Sequence, residues 1–352
     1  MFVNDAVGLL KDLMKDRVVV DEKDKTEIKI QNGIIVTKMS SREFGGEYKR
    51  NGLLYMSVVW LATVWSLVRN LAEAIVRKIF SPRKPLLKIL WEMGRNPKHF
   101  SCFFGDRLSK YNHKAKTEAA SWRALDLFYN YQEKIEPNLE DDLSGRATRF
   151  WIGRLENRQA VRNRLKIAIN LLSDSFRKFA NEPEIRLLSV ASGSAQAVIR
   201  AMQENPNLKI RVTLIDLDGD AIAEAKKEVE KAGLTSNFDF VVGSVKVIED
   251  VCQNFKPHIV EMIGFLDYRT KKQAIRLIGR IRNVLPAGGI FLTCNIRNNR
   301  EKFFLTWLLL WPMIYRSPQE LGEVLTKGGF ENKKVSLVYE PFKIHGIAVA
   351  VK

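Results

Sequence analysis

Glu184-Ile185-Arg186-Leu187-Leu188-Ser189-Val190-Ala191-Ser192-Gly193-Ser194-Ala195 is the stretch on which the fold turns. Its first half is aliphatic and bounded, which predicts a strand over 185–191; its second half is a run of small residues around one glycine. A tight turn of that composition lets the backbone approach a ligand closely at the carboxyl end of a sheet. The helix that follows presents its free N–H groups to the same place. From here to the end of the chain, short β-rich runs alternate with helical ones. Strands are expected at 185–191, 210–216, 239–242, 258–263 and 289–295, followed by Val335–Tyr339, a turn around Pro341, and His345–Val351 as an antiparallel pair. That is the βαβ rhythm of a parallel sheet closed by a hairpin.

Leu214-Ile215-Asp216-Leu217-Asp218 ends the second of these strands. A carboxylate at a strand tip, one turn-helix unit after a small-residue loop, can accept both hydroxyls of a ribose. Asp216 suits that role. Asp218 precedes the helix expected over 221–231 and suits an N-cap.

Taken together, LLSVASGSA (187–195), RVTLIDLD (211–218), FVVGS (240–244), HIVEMIGFLDY (258–268) and VLPAGGIFLTCNI (284–296) resemble the ordered motifs of class I S-adenosylmethionine-dependent methyltransferases, over 184–352. Leu285-Pro286-Ala287-Gly288-Gly289 is the most specific local piece. The resemblance implies a Rossmann-like α/β sheet with a terminal antiparallel hairpin, preceded by a mainly helical region, and S-adenosyl-L-methionine as the cofactor. It implies that Ser189, Ala191, Ser192 and Gly193 pass under the methionine part, that Asp216 and Leu217 meet the ribose, and that Ser244 and Val245 lie on the adenine side. Ile263 and Gly264 complete the cofactor set. The sequence departs from the family where Ser189 replaces an aspartate, where Ala191 and Ala195 replace glycines, and where Ser244 replaces the adenine-side aspartate.

A narrower likeness joins Ile263-Gly264-Phe265-Leu266-Asp267-Tyr268, the stretch from Asn295 to Tyr315-Arg316, and Ala160 through Lys166. These are similar to bacterial methyltransferases linked to fatty-acid methyl ester formation. The likeness implies methyl transfer to a small, hydrophobic or lipid-like acceptor, with oxygen favoured as the accepting atom. Asp267 and Tyr268, just past the fourth strand, are the candidates for positioning the acceptor or taking its proton. Their structural alternatives are a helix cap near Thr270 and packing. Asn295, Arg297 and Tyr315 are the candidate acceptor-binding residues. Glu261 stands out inside an apolar strand, because a buried carboxylate needs a partner.

The first half of the chain reads differently. A short β-rich segment is expected over 1–50, with two strands joined at Asn32-Gly33. A helical accessory or substrate-cap region follows over 51–160, and the methyltransferase-like part over 161–352. The most apolar run, 51–68, allows three readings: a buried core helix, which comes first, a lid or interfacial helix, and a membrane span at the short limit of length. The segment 303–315, FFLTWLLLWPMIY, is too short and Pro-broken for a span; it suits core packing or the lining of an apolar acceptor site.

The net charge is +17, and the excess is densest over 81–180, with 20 basic against 11 acidic residues. In 160–169 the cations read first as a solvated face, with one of them able to face the cofactor crevice. A basic belt attracts a polyanion or an anionic membrane surface, so an RNA or DNA methyltransferase is the second functional reading. A catalytically degenerate binding protein is the third. Nucleic acid is the weaker partner, since no RNA-binding module is recognisable. Cys102, Cys252 and Cys294 have no metal-ligand spacing, the histidines are scattered, and no metal is expected. With no export signal read from the N-terminus around Asp5, the expected place is the cytoplasm, with association at a membrane surface as its variant.

Overall fold

The computed structural model describes residues 27–31, 33–40, 46–99 and 108–352; Asp5, Asn32 and Cys102 lie outside the described residues. Nine strands, β1 (Glu27–Gln31), β2 (Ile34–Lys38), β3 (Ile185–Val190), β4 (Ile210–Asp216), β5 (Phe238–Val242), β6 (Ile259–Met262), β7 (Ile290–Ile296), β8 (Val335–Tyr339) and β9 (His345–Val351), form one sheet. Its order is β1-β2-β8-β9-β7-β6-β3-β4-β5. Strands β3 to β7 run parallel where they pair, and β9 lies antiparallel between β7 and β8. The expected α/β sheet with its terminal hairpin is therefore present, with strand ends shifted by a residue or two. One addition was not foreseen. β2 pairs in parallel with β8, so the N-terminal hairpin extends the same sheet.

The inner strands are apolar on both faces because helices cover both sides. Leu187, Leu188, Val190, Val212, Leu214 and Ile259 are all fully or nearly fully buried. Order reverses beside β3, where β4 leads one way and β6 the other, and such a switch point opens a crevice at the carboxyl ends of the strands.

Among the described residues, six helices precede β3: α1 (Leu53–Phe80), α2 (Leu86–Arg95), α3 (Lys110–Thr117), α4 (Trp122–Asn130), α5 (Leu143–Thr148) and α6 (Glu156–Lys178). Five more connect the later strands: α7 (Gln196–Gln203), α8 (Gly219–Lys231), α9 (Ile248–Phe255), α10 (Lys271–Val284) and α11 (Pro318–Lys327). Asp218 caps α8 as expected, its side chain accepting from the Asp220 N–H. Thr270 and Gln273 form a capping box on α10, so Asp267 is not that helix's cap.

Two helices overturn the expectations made for them. α1 is not a core helix: its inward face carries Tyr55, Val59, Thr63, Ser66, Asn70 and Ala74, while its large apolar side chains point outward. The arginines in the first half of α6 are not a solvated face, whereas Lys166 is half-buried and Arg177 and Lys178 are exposed. Arg158, Arg162 and Arg164 are buried, and so are Glu156, Asn157, Gln159 and Asn163 beside them. Their partners come from a strap at 46–51 laid along the helix. Glu47 receives both Arg158 (3.0 Å) and Arg162 (2.8 Å), Gln159 bonds both N–H and C=O of Lys49, and Asn163 bonds both N–H and C=O of Glu47. At its N-terminus, Glu301 accepts the N–H groups of Glu156 and Asn157 (2.9 and 2.8 Å), which satisfies two donors the helix leaves free. The segment 303–315 opens as a π-helical turn, Phe304–Leu308, and continues without regular structure; most of it is buried between the cap helices and the sheet.

Candidate active site

The small-residue loop after β3 carries three left-handed residues within five positions. Ala191, Gly193 and Ala195 have φ of 53°, 54° and 55°. Left-handed backbone is free for glycine but costs an alanine about 1 kcal/mol. Ala191 and Ala195 stand where the resemblance expects glycine, so the loop keeps the glycine conformation without the glycines. Asp216, at the tip of β4, ties the loop down: one carboxylate oxygen accepts from the Gly193 N–H (2.8 Å), the other from the Asp218 N–H (2.9 Å). An ionised carboxylate has about four acceptor positions, so Asp216 keeps capacity for two hydroxyls.

Above this loop lies a crevice walled by Ala191, Ser192, Gly193, Glu261 and Ile263 from the sheet side and roofed by Trp122, Leu125 and Tyr129 from α4. Leu165 and Ala168 of α6 close its floor. Ser192 Oγ and Trp122 Nε1 are buried in it without a hydrogen-bond partner among the described residues. Such orphans suit a polar ligand that fills the space. The crevice encloses about 60 Å³, and Trp122 sits close over Gly193.

The expected site residues fall into three groups. Ala191, Ser192, Gly193 and Ile263 line the crevice. Ser189 lies beneath it, donating to Glu261 (2.5 Å), and Gly264 follows Ile263 with its N–H on Cys294 Sγ (3.1 Å). Asp216 stands at the strand tip beside an exposed Leu217; Ser244 begins the turn after β5, accepting from the Lys246 N–H, with Val245 next to it.

Asp267 and Tyr268 do not line the crevice. The Asp267 carboxylate is buried and accepts from the Ile296 N–H (2.7 Å), while its carbonyl accepts from the Ile314 N–H (2.7 Å). Burial raises its pKa, against the pull of Arg164, the Ile296 N–H and Arg316. The Tyr268 hydroxyl accepts from Trp311 Nε1 (2.9 Å), and burial, then the Asp267 charge, raises its pKa as well. Asn295 donates to the carbonyls of Ile296 and Ile314 (2.9 and 2.8 Å) and receives Arg316, which also reaches the Leu266 and Arg269 carbonyls. The Arg297 N–H donates to Ile344, and Tyr315 lies against the apolar cluster under the cap. These residues brace the loop after β6 against the 295–316 segment.

Three features of the site lie beyond the sequence reading, which singles out Glu261 but not its partners. Glu261 is fully buried in the crevice wall, accepting from Ser189 and from the Ile263 N–H (2.9 Å); burial pushes its carboxyl up to about 7 against those two bonds. Arg164 is buried behind Tyr129, donating to its hydroxyl (2.9 Å) and lying 3.7 Å from Cys294 Sγ. The aromatic roof on α4 is the third. Glu261 was visible as a charge in an apolar strand, whereas nothing local distinguished Arg164 from the cations around it.

With the geometry in place, comparison with known proteins is informative. A family model described as a methyltransferase domain matches residues 181–335. The ubiquinone/menaquinone biosynthesis C-methyltransferase UbiE of Bartonella henselae is 26% identical over 144 residues, 41% of this chain; the match spans 53% of that protein, about half its length. A solved Bordetella parapertussis structure, recorded as a possible exported protein, shares the fold with a TM-score of 0.56 at 13% identity, over 82% of this chain and 96% of that one.

Proposed function

We propose that this chain, whose residues 181–335 are a class I S-adenosylmethionine-dependent methyltransferase domain, methylates a small hydrophobic or lipid-like acceptor, with a carboxylate or hydroxyl oxygen as the favoured atom. The observation that carries the reading is the wall shared between crevice and cap. Leu125 and Tyr129 line the crevice and also belong to the apolar cluster of Phe128, Leu305, Trp311 and Met313, which Tyr268 joins. Trp91 packs edge-on against Tyr268 (5.5 Å) and Phe128 against Trp311 (5.7 Å), so the acceptor side is aromatic and dry. The cytoplasm, at a membrane surface, is the place where such an acceptor is met.

The cofactor supplies a methyl group already activated on a sulfonium, so the protein's work is alignment and exclusion of water. The Ala191–Gly193 backbone and the Ser192 hydroxyl would hold the amino-acid end, and Asp216 the ribose hydroxyls. An acceptor carboxylate is ionised at neutral pH and needs no general base. Asp267 then acts by holding the backbone at Ile296 and Ile314, and Tyr268 by holding the Trp311 indole, which fixes the acceptor wall. Glu261 is the carboxyl group that lines the crevice, and its raised pKa suits it to accept a proton from a hydroxyl acceptor.

The Bartonella relative is recorded as a C-methyltransferase, so carbon is the second candidate atom. Incubation with methyl-labelled S-adenosylmethionine, long-chain fatty acids, fatty alcohols, quinone precursors and total RNA tests the reading. Label extracted into organic solvent supports it, and mass spectrometry of the product reads the atom. Label confined to RNA would replace this reading with the nucleic-acid one, and cofactor binding without transfer to any class would favour a binding protein.

A further inference from the structure

We infer that α1 is an in-plane docking helix for an anionic phospholipid bilayer, lying in the headgroup region and holding the acceptor side of the protein against it. Among the described residues, most of the exposed large apolar side chains belong to this one helix, including Leu54, Trp60, Leu61, Trp65, Val68 and Ile79, each between 42% and 82% exposed. They run the whole length of its 28 residues, about 42 Å. A soluble monomer rarely leaves so continuous an apolar face in water.

The opposite face decides between lying on a bilayer and crossing one. Asn70 donates to the Trp307 carbonyl (2.6 Å), and Glu73 holds Arg77 (2.7 Å) and His99 (2.7 Å). The helix is therefore fastened along its polar side to the protein and has only its outer side to give to lipid. By length and composition alone it would qualify as a span. Its fastening to α2 and the Phe304–Leu308 turn, through Asn70 and an apolar cluster of Ala74, Ile89, Met93 and Trp307, makes it a surface element instead.

Charge names the occupant. From Arg50 to Lys98 the sequence has nine cations against two carboxylates, Glu73 and Glu92, and both carboxylates are already engaged, the second by Lys84 (2.7 Å). Arg69 stacks over Trp65 (5.2 Å), while Arg83, Lys88, Arg95 and Lys98 are exposed on the segment that follows α1. An apolar face with tryptophans and a basic surround is the composition that binds anionic interfaces. Because the inner side of α1 packs on Trp307, in the segment beside the proposed acceptor wall, docking would bring that wall to the source of a lipid acceptor. In that respect the inference rests on the function proposed above.

Flotation of the full chain with vesicles of equal parts phosphatidylglycerol and phosphatidylcholine, and with pure phosphatidylcholine, is the test. The expected result is recovery with the anionic vesicles, weakened by salt. The variant Leu61→Glu/Val68→Glu should bind about tenfold or more weakly while keeping its thermal midpoint and its S-adenosylmethionine binding. Absence of flotation by a monomeric wild type would overturn the inference, and so would undiminished flotation by the variant. A wild-type dimer that the variant converts to monomer would assign the face to a second copy of the chain. Failure to bind cofactor, with flotation intact, would instead count against the proposed function alone.

Discussion

α1 and α6 are inverted in opposite senses. α6 buries a helix face of arginines, asparagines and a glutamate, while α1 turns leucines and tryptophans to the solvent and keeps Thr63, Ser66 and Asn70 inside. The buried charges of α6 are tolerable because each meets a fixed partner, with Glu47 alone receiving two guanidinium groups. Among the described residues, no comparable partner covers the outer face of α1. Burial without apolar character, and apolar character without burial, mark the two places where this chain does something other than fold economically. One holds the strap at 46–51 against α6, whose Leu165 and Ala168 line the crevice, and the other presents a surface.

Breaking the α6 side should have the largest effect. Glu47→Ala leaves Arg158 and Arg162 buried without their shared carboxylate, and a loss of about 3–5 kcal/mol in denaturant unfolding is expected. If the loss is below about 1 kcal/mol, the strap at 46–51 is not what neutralises the helix.

A second test reads the buried carboxylate within the field of Arg164. Glu261 holds its proton more tightly folded than unfolded, so its contribution favours the folded state at low pH and is lost as pH rises from the usual carboxylate range through about 7. Unfolding free energies measured from about pH 5 to about pH 8 should fall by ~3 kcal/mol from this group, and Glu261→Gln should flatten that part of the slope.

The loop over α6 offers a change of opposite sign. Ala191→Gly and Ala195→Gly remove side chains from left-handed backbone, and each should raise stability by about 1 kcal/mol in the same assay. The smallest effect belongs to α1: Leu61→Glu/Val68→Glu should alter stability in solution by no more than about 0.5 kcal/mol, because neither side chain is buried there. A large loss would mean that the outer face of α1 is covered in the native protein.

How much of this was legible in the sequence follows from the range of the interactions involved. The sheet was readable because strand periodicity, the loop at Ser192-Gly193-Ser194 and Asp216 are local signals. The apolar run of α1 was equally plain, but hydropathy does not say which side of a helix faces inward. The role of α6 was not legible. Arg162 and Glu47 are 115 residues apart, and the same cations on an unpaired helix would have been a solvated face. Asp267 and Tyr268 were found as a motif, yet their contacts with Ile296, Ile314 and Trp311 depend on the 295–316 excursion, which has no periodicity to read. The left-handed Ala191 and Ala195 show the converse: the fold kept a conformation that the residue types had ceased to advertise.

Cofactor binding at the crevice above the loop after β3 is the central test. Calorimetric titration of the full chain with S-adenosylmethionine should give saturable heat and a raised thermal midpoint, both weakened in Asp216→Ala. Absence of heat and of any thermal shift at millimolar cofactor, in a folded wild-type protein, would contradict it.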